Sequence, residues 1–483
     1  MFIQPVCLAV ILVAIAALLA RYVKIKDSYS QHKVLPPGSL GLPLIGETIG
    51  FLRAHKLDKT QEWIYERVAK HGPVFKTSLL GYPTVFLIGA AGNRFVFHAN
   101  DGAILSNQPT PVVSIMGKHN TFELNGGLHR LMRGAMSSFL QPETLQKYVQ
   151  SMDSIVKQQI EFDGKESVKT VMLMKRLTFK VTCALLFAIP PGREQDLLFE
   201  DFTAALKGLW SLPFDLPKSP FRRAIRARER ICKFFSDLIR ERKNELLEDK
   251  GSSKGDVVSS FANLRDGDGG EIEEDVLIDN LITLVIGSHD TTAILLTLLI
   301  RLIARNEDVR NGVIEEQLAI LKEREGGDDE NLTWNDLQKM KYTWRIAQEL
   351  MRQIPPVFGN FKKVVKDTSF GGFDIPKGWQ VFWLASATHM DKNIFPDPER
   401  FDPTRFEGSS KSFPPFSYIP FGGGPHSCPG NEFARVEVLL IVHHLIVNYQ
   451  WSEMVPDEPI TRDPLPYPAM GLPIKLHPRK LGY

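Results

Sequence analysis

One cysteine stands in surroundings that suit a metal-binding thiolate. Cys428 lies in the glycine-rich stretch Phe421–Gly430, directly before an apolar helix predicted to begin near Asn431. The glycines let the backbone approach a flat ligand and adopt turns closed to other residues. A helix N-terminus favours negative charge and therefore stabilises the thiolate form. These properties favour Cys428 as the proximal ligand of a haem, where a thiolate promotes cleavage of the O–O bond.

The remaining cysteines carry no comparable signal. Cys7, Cys183 and Cys232 are far apart and form no Cys-x-x-Cys pair, so the sequence shows neither a disulfide framework nor a structural zinc motif. Each fits the common fate of a free cysteine, a buried and inert thiol. This cysteine usage indicates a reducing, cytosol-facing environment.

A long and mostly apolar segment, Asp275–Asn306, predicts a buried helix. At its middle, Gly287 and Ser288 are small enough to leave room for a ligand. Asp290 and Thr291 follow, a pair that can relay protons, and a threonine hydroxyl can loosen the helix by bonding back to a carbonyl. The plain alternative is a solvated kink, but buried acids rarely lack a function. A second membrane span is excluded, because an acid and a histidine at mid-helix are costly in lipid.

Two other classes of protein would also use Cys428. A cysteine hydrolase needs a histidine base, and His426, His443 or His444 could be proposed. Such a hydrolase leaves the central helix unexplained. A haem-binding protein without turnover is the second alternative, and the pair Asp290–Thr291 argues against it.

Glu349 and Arg352 stand one helical turn apart, just before Pro355 and Pro356 end the helix. Such pairs are usually exposed and contribute less than about 1 kcal/mol, so this one alone indicates little. A further arginine, Arg400, follows in a loop that ends ahead of the cysteine segment.

The N-terminus predicts a membrane anchor. Residues 2–20 are apolar except for Gln4, which is close to the ~20 residues needed to span the hydrocarbon core. Basic residues follow this stretch and do not precede it, which predicts a retained anchor with the rest of the chain in the cytosol. We therefore predict an anchor at residues 1–23 and a basic, proline-rich hinge at residues 24–46.

Residues 47–483 are predicted to form one mainly α domain with a minor β region. The chain is 43% hydrophobic, enough for a large core, and its formal net charge of +2 with interspersed signs does not indicate nucleic acid binding. Besides the central helix, helical patterns are predicted at Thr60–His71, Glu143–Phe162, Ala224–Leu247 and Glu432–Tyr449. Strands are predicted at Val74–Ser78 and Thr84–Gly89 and in a patch at Asp367–Trp383, and an exposed loop at Glu248–Gly270.

Taken in order, these features resemble a membrane-bound cytochrome P450, a haem-thiolate monooxygenase, over essentially the whole chain. The implied fold is a helix-rich single domain with small β-sheets, preceded by one transmembrane helix. More narrowly, the chain resembles the plant clan of triterpenoid, diterpenoid and sterol-type hydroxylases, and looks closest to triterpene oxidases and taxane hydroxylases. The stretches that carry this resemblance are Pro355–Gly359, Gly372–Trp379 and Asp463–Pro473.

The resemblance implies a role for each motif. Cys428 would be the axial ligand of a haem b, and Asp290 with Thr291 would deliver protons during oxygen activation. Glu349, Arg352 and Arg400 would form a buried structural triad. The residues expected around the haem are His129, Arg133, Lys362, Phe421, Gly424, His426 and Gly430.

Four positions depart from the pattern of the family. His426 replaces the usual arginine two positions before the ligand, and His129 replaces a usual tryptophan. Lys362 stands where relatives often carry arginine, which keeps the charge but loses bidentate geometry. Ser288 replaces a usual glycine. The resemblance therefore implies haem anchoring that is richer in histidine than usual, with Arg133 as the firmer propionate partner.

Substrate contacts are expected at predominantly apolar positions, consistent with a hydrophobic pocket. These positions are Val113, Leu212, Leu284, Gly287, Phe358 and Met470. Residues 210–214, which include Leu212, could instead dip into the membrane surface.

The implied reaction is hydroxylation, or successive oxidation, of an apolar terpenoid. A triterpenoid scaffold is the first expectation, and a taxane-like diterpenoid or a sterol is the alternative. The sequence contains no Gly-x-Gly-x-x-Gly after a strand and no P-loop motif, so the electrons must come from elsewhere. The resemblance implies a diflavin NADPH–cytochrome reductase as the donor, and a monomeric, single-pass protein of the endoplasmic reticulum membrane with its catalytic domain facing the cytosol.

Overall fold

The computed structural model describes residue 20 and residues 34–42, 45–98, 102–162, 167–209, 211, 215–248, 255–324, 331–408 and 413–479. Most of the predicted anchor, much of the predicted hinge, and Leu212 lie outside the described residues. The boundaries of the anchor, of the hinge and of the domain at 47–483 therefore stay predictions.

The described residues are mainly helical with small sheets, which confirms the predicted mainly α fold with a minor β region. The helices are α1 (Thr48–Lys56), α2 (Thr60–His71), α3 (Ala90–Phe97), α4 (Thr110–Met116), α5 (Gly126–Leu140), α6 (Pro142–Ile160), α7 (Thr170–Leu186), α8 (Arg193–Leu206), α9 (Pro220–Leu247), α10 (Val257–Ala262), α11 (Glu274–Arg305), α12 (Glu307–Glu323), α13 (Trp334–Lys339), α14 (Lys341–Gln353), α15 (Ala385–His389) and α16 (Asn431–Asn448). The strands are β1 (Val74–Leu79), β2 (Tyr82–Leu87), β3 (Ile104–Ser106), β4 (Ser167–Lys169), β5 (Gly359–Val364), β6 (Thr368–Phe370), β7 (Phe373–Ile375), β8 (Gln380–Leu384), β9 (Tyr449–Glu453), β10 (Ile460–Arg462), β11 (Pro466–Pro468) and β12 (Pro473–Pro478).

The contacts of the described residues divide them into two compact units. The smaller unit draws on the described residues within 1–107, 358–396 and 413–419. It is built on a five-stranded sheet with the order β1-β2-β8-β5-β3, in which only β2 and β8 run parallel. Phenylalanines with no more than 1% of their surface exposed form one of its cores, among them Phe86, Phe361 and Phe382.

The hairpin of the smaller unit is tighter than the sequence predicts. The predicted strands leave residues 79–83 as the connection, but Leu79 belongs to β1, and Tyr82 and Pro83 belong to β2 and pair with β1. The turn is made by Leu80 and Gly81, whose φ angles are 54° and 82°. Two consecutive residues with positive φ form the kind of turn whose twist matches that of the flanking strands, so β2 starts two residues earlier than predicted.

The larger unit, from residues 108–357, 397–412 and 420–483, is organised around α11. This helix packs against α7 and α16, and residues from all three belong to one hydrophobic core. Among the described residues, α11 is the one helix long and apolar enough to cross a bilayer, yet 83% of its most apolar stretch is buried inside the protein. The predicted buried central helix is thereby confirmed.

Candidate active site

The cysteine segment closes on itself ahead of α16. The backbone N–H of Cys428 donates to the carbonyl of Phe421 at 2.8 Å, and that of Ser427 donates to the carbonyl of Gly424 at 3.1 Å. Gly422 and Gly424 have φ angles of 71° and 65°, so two of the three glycines occupy the left-handed conformation that favours glycine. The loop presents the thiol of Cys428 three residues before the helix begins.

The thiol of Cys428 faces a recess in the larger unit. Its side chain has exposed surface, yet desolvation by the surrounding protein raises the pKa of the thiol, while the Gly430 backbone N–H and the Arg133 guanidinium lower it. Both observations hold when a side chain opens onto an internal space rather than onto bulk solvent. The neighbouring cation Arg133 and the helix N-terminus are the features that stabilise a thiolate.

Polar residues of α5 flank the cysteine loop. Arg133 donates from Nη2 to the Ser427 hydroxyl at 3.2 Å, and burial lowers the pKa of Arg133 while the charge of Cys428 raises it. One turn earlier, the buried His129 ring packs against His426 in a tilted arrangement, with ring centroids 4.1 Å apart. The structure therefore brings together three of the residues that were expected around the haem.

The middle of α11 contains a gap in an otherwise buried surface. Gly287 is exposed although Ile286 before it and His289 after Ser288 are buried, and a Cβ added there would meet no atom within 4 Å. The Thr291 hydroxyl donates back to the Gly287 carbonyl at 2.8 Å, the bond expected to loosen a helix. Ser288 points elsewhere, because its hydroxyl accepts from Thr182 at 3.0 Å and donates to the Val285 carbonyl.

Asp290 has a partner that the sequence did not reveal. Its carboxylate, 9% exposed, forms an ion pair with Lys175 of α7, whose side chain is 22% exposed. The charge of Asp290 also reaches Tyr467 of β11: burial raises the pKa of Tyr467, and Asp463 and Asp290 add to that effect. No local signal predicts the pair with Lys175, because the two residues belong to distant segments that meet only in the folded structure.

The Glu349–Arg352 pair is buried rather than exposed. Both side chains have no exposed surface, and Arg352 additionally donates to the Pro398 carbonyl at 2.6 Å. Glu349 accepts from the backbone N–H of Asp402 at 3.0 Å. The pair therefore ties α14 to the segment that precedes the cysteine loop.

The third arginine of this cluster is Arg405, and the prediction of Arg400 is wrong. Arg405 places Nε 3.5 Å from Glu349 Oε1 and is 11% exposed, whereas Arg400 is exposed. The sequence contains two similar segments in succession, Pro398-Glu-Arg400-Phe401 and Pro403-Thr-Arg405-Phe406. The prediction of Arg400 rests on the first one. The second one lies in a short 3₁₀ turn, Pro403–Phe406, which packs against α14 and points Arg405 inward.

A buried acid on α16 was not predicted either. Glu437 has no exposed surface, and burial raises the pKa of its carboxyl well above the ordinary value. The Thr292 hydroxyl of α11 lies close enough to offset a part of this rise, although it lacks hydrogen-bonding geometry. A buried carboxyl group with a raised pKa thus lies where the helix that follows Cys428 packs on the central helix.

The loop after α4 is fixed to α11 by a carboxylate. Asp279 accepts from the backbone N–H of His119 at 3.0 Å and from Arg228 of α9 at 2.6 Å. A Cβ added to Gly117, whose φ is 94°, would overlap the Asp279 carboxylate. Glycine is therefore required at position 117, and the loop backbone lies directly against the helix that carries Asp290 and Thr291.

The remaining predicted residues fall in different places. Of the predicted substrate contacts in the larger unit, Val113 is half-buried on α4, Leu284 is buried on α11, and Met470 is exposed after β11. In the smaller unit, Lys362 donates from Nζ to the Ser106 hydroxyl at 2.7 Å, and Phe358 is buried. Each of these roles stays a prediction.

The residues of the larger unit fit a haem with a thiolate ligand. Cys428 faces a recess, flanked by the cation Arg133 and the histidine pair His129 and His426, donors of the kind that bind carboxylates. Gly287 leaves open space beside α11, where a side chain would otherwise stand. This donor set and this space match the needs of a flat, dianionic macrocycle.

The fold and this site together define a haem-thiolate monooxygenase. The family model of cytochrome P450 matches residues 36–478, so the chain belongs to the cytochrome P450 family and carries the haem cofactor of that family. A solved structure of retinoic acid bound cyanobacterial CYP120A1 superposes with a TM-score of 0.82 at 32% identity, covering 92% of this chain and 100% of that one.

Curated plant relatives narrow the placement within the family. A β-amyrin 28-monooxygenase of Vitis vinifera is 38% identical to this chain, over 92% of each chain. A taxane 10-beta-hydroxylase of Taxus cuspidata is 37% identical, over 98% of this chain and 94% of its own. The chain thus belongs with the plant cytochromes P450 of the triterpenoid and taxane clade.

Proposed function

We propose that this chain hydroxylates a triterpenoid scaffold, with successive oxidation of one carbon as an extension of the same chemistry. The structural observation that carries the proposal is the open space at Gly287 beside Thr291, where an added Cβ would meet no atom within 4 Å, so this turn of α11 leaves room for a ligand. The similarity to β-amyrin 28-monooxygenases supports the choice of substrate class.

The residues around the recess would bind different parts of the haem. Cys428 would hold the haem iron, while Arg133, His129, His426 and Lys362 would hold its propionates. When bound, haem supplies the oxidising power that inserts one atom of dioxygen into a C–H bond, while the other atom leaves as water. Everything else in the reaction is a task of binding, orientation and proton supply.

Proton supply would run through the α11 pair. The Thr291 hydroxyl donates to the Gly287 carbonyl at 2.8 Å, which leaves its oxygen lone pairs available to accept a hydrogen bond from a neighbouring donor. Asp290 is buried but paired with Lys175, whose ammonium group is partly exposed to solvent. This arrangement gives a buried carboxylate a route to exchange protons with the surface, while Arg352 and Glu349 fix the backbone behind the cysteine loop.

Substrate orientation would come from apolar residues. Leu284 and Val113 lie on the elements that pack against one another at α11 and α4, and Phe358, Met470 and Leu212 are further proposed contacts. An apolar lining with few polar groups suits a terpenoid hydrocarbon. A second substrate class, a taxane-like diterpenoid, is favoured by the taxane hydroxylase match, which covers 98% of this chain.

The cellular setting follows from the family and from the N-terminal sequence. A cytochrome P450 of this kind receives electrons from a diflavin NADPH reductase, and its substrates are apolar. We further propose a single-pass anchor at residues 1–23 in the endoplasmic reticulum membrane, with a hinge at residues 24–46, a cytosolic domain at residues 47–483, and a monomeric state in the membrane. Removing residues 1–23 should shift the protein from the membrane pellet to the soluble fraction, and an unchanged distribution would overturn the anchor.

Feeding experiments test the proposed substrate. The full chain would be expressed with a plant reductase and supplied with β-amyrin-like, lupane, taxadiene-like and sterol scaffolds, with products identified by mass spectrometry. We expect hydroxylated triterpenoids, and taxane products alone would move the assignment to the second class. A protein with the far-red-shifted Soret band of the reduced carbon monoxide complex but without oxidation of any of these scaffolds would overturn the proposal. The Cys428→Ala variant, lacking both that band and turnover, is the matched control.

A further inference from the structure

A cavity of about 370 Å³ lies where α11 ends, among α12, α16, β9 and β12. We call it the α12–β12 cavity. None of its lining residues belongs to the site around Cys428. Ligand pockets in proteins span about 300–1,000 Å³, so this cavity is at the small end of that range.

Two arginines bring positive charge to the α12–β12 cavity. Arg310 of α12 and Arg479, which follows β12, both line it. The pKa of Arg479 is lowered, first by burial and then by the charge of Arg310. Two guanidinium groups close enough to perturb each other repel, unless an anion lies between them.

The protein itself compensates little of this charge. Among the described residues that line the cavity, none is an aspartate or a glutamate. Glu307 places Oε1 3.5 Å from Arg310 Nη2, but its side chain is 76% exposed, and such surface pairs contribute little. The Nη2 of Arg479 donates to the Tyr449 carbonyl at 3.3 Å, while its Nε is buried without a hydrogen-bond partner. Among the described residues, neither guanidinium group thus has a buried carboxylate partner.

Part of the lining is apolar, and we call it the apolar wall. It consists of Trp451, Ile314 and Ile446, while Asn311, Gln450, Ser452 and His477 add polar groups. Trp451 donates from its indole Nε1 to the Ile300 carbonyl at 3.0 Å, which holds the ring in place. A ligand that satisfies both the arginines and the apolar wall therefore carries an oxyanion and a hydrocarbon part.

We propose that the α12–β12 cavity binds a small amphipathic anion. Its carboxylate or phosphate group accepts hydrogen bonds from Arg310 and Arg479, since a guanidinium matches the geometry of both groups. Its apolar part lies against Trp451 and the isoleucines. The volume suits a short acid or a lipid headgroup region rather than a whole polycyclic substrate. This site is separate from the proposed function and stands or falls independently of it.

Calorimetric titration of the full-length haem-loaded protein tests the site. The haem side is first saturated with an azole that ligates iron, so that a probe cannot be counted there. Sodium octanoate is the probe, octan-1-ol is its neutral counterpart, and inorganic phosphate is an oxyanion without a tail. We expect one octanoate to bind per chain, with octan-1-ol at least about tenfold weaker because it lacks the charge-assisted bonds.

Variants then locate the binding. Arg310→Gln and Arg479→Gln should each weaken octanoate binding by about tenfold or more. Arg226→Gln, an exposed arginine of α9 outside the cavity, is the matched control and should leave binding unchanged. An unchanged carbon monoxide spectrum in every variant shows that the fold around the haem is intact.

Three results would overturn the proposal. Octanoate that fails to bind, or binds no better than octan-1-ol, removes the role of charge. Binding that both glutamine variants retain places the ligand elsewhere. Phosphate that binds as tightly as octanoate removes the role of the apolar wall and assigns the site to a free oxyanion instead of an amphiphile.

Discussion

Arg352 donates two parallel hydrogen bonds to Glu349, 2.7 Å from Nε to Oε2 and 2.8 Å from Nη2 to Oε1, and neither side chain has exposed surface. A buried pair of this kind is held by what surrounds it, because removing one partner leaves an uncompensated charge. Here the surroundings are the Pro398 carbonyl, the Asp402 backbone N–H and Arg405. The pair therefore depends on the segment that leads to the cysteine loop.

Arg405 and Arg400 offer a direct test of that cluster. Arg405→Gln should lower the free energy of unfolding by about 1–3 kcal/mol, because Glu349 loses a buried cation. Arg400→Gln, the matched control on the exposed side of the same segment, should change it by less than about 0.5 kcal/mol. Chemical denaturation followed by circular dichroism measures both. The reverse order of the two effects would restore Arg400 to the cluster.

Lys175 should affect coupling, the amount of product formed per NADPH consumed. Lys175→Gln leaves Asp290 buried without its cation, so we expect product formed per NADPH consumed to fall by about tenfold, as for the loss of one charge-assisted contact. The carbon monoxide spectrum should stay the same. Arg176→Gln is the control, since Arg176 is the next residue and pairs with Asp196 at the surface. Full coupling in Lys175→Gln would show that the ion pair has only a structural role.

Thr291→Ala tests the other half of the pair. The hydroxyl that bonds to the Gly287 carbonyl is lost, while the helix and the haem site keep their backbone. We expect normal haem binding with oxygen consumption largely diverted to peroxide, because positioned acid–base groups contribute about 10²-fold or more to such steps. Oxygen electrode and peroxide measurements made together decide the matter, and unchanged coupling would contradict the proposed proton route.

Gly287→Ala should separate stability from substrate fit. The added methyl group meets no atom within 4 Å, and replacing glycine in a helix interior stabilises by about 0.5–1 kcal/mol. Turnover of bulky scaffolds should fall all the same, because the methyl group occupies the gap beside Thr291. Gly134→Ala, at an exposed helical glycine with equally open surroundings, should raise stability without affecting turnover. Equal turnover in both variants would place the substrate away from this part of α11.

Glu437 gives stability a pH dependence with a definite sign. Because burial raises the pKa of its carboxyl well above the ordinary value of 4.5, the folded state binds more protons than the unfolded state at pH values above 4.5. Stability from this group is therefore lost as pH rises from 4.5 towards the folded pKa. Glu437→Gln removes the titration, so its stability relative to the parent should increase over that window. Denaturation curves of both proteins at pH 5 and pH 8 measure this effect. The same difference in free energy of unfolding between variant and parent at both pH values would contradict the prediction.

Local pattern predicted those parts of the fold whose partners are close in sequence. The period of apolar residues predicted α2 at its observed bounds and α11 and α16 to within one residue. The glycine-rich loop around Cys428 could be predicted equally well, because turn conformation and the start of a helix are determined within a few residues.

Contacts between residues that are distant in sequence could not be predicted from local pattern. Lys175 and Asp290 meet only because α7 packs on α11. The residues adjacent to either one in the sequence contain no signal that predicts the other. Arg405 was distinguishable from Arg400 only after the 3₁₀ turn had placed one inward and one outward. Glu437 is a single acid in an apolar helix, and the sequence does not show whether such a residue faces solvent or, as here, is fully buried.

The requirement for glycine at position 117 limits which positions can be varied when the substrate range of the protein is changed by directed evolution. Because any side chain there would collide with the Asp279 carboxylate, substitution at that position has to displace this carboxylate from His119 and Arg228. Randomised libraries that include position 117 would therefore consist mostly of variants in which the loop has lost this anchor. Diversity is better introduced at Val113 and Leu284, the proposed substrate contacts, where the bonds of Asp279 are left in place.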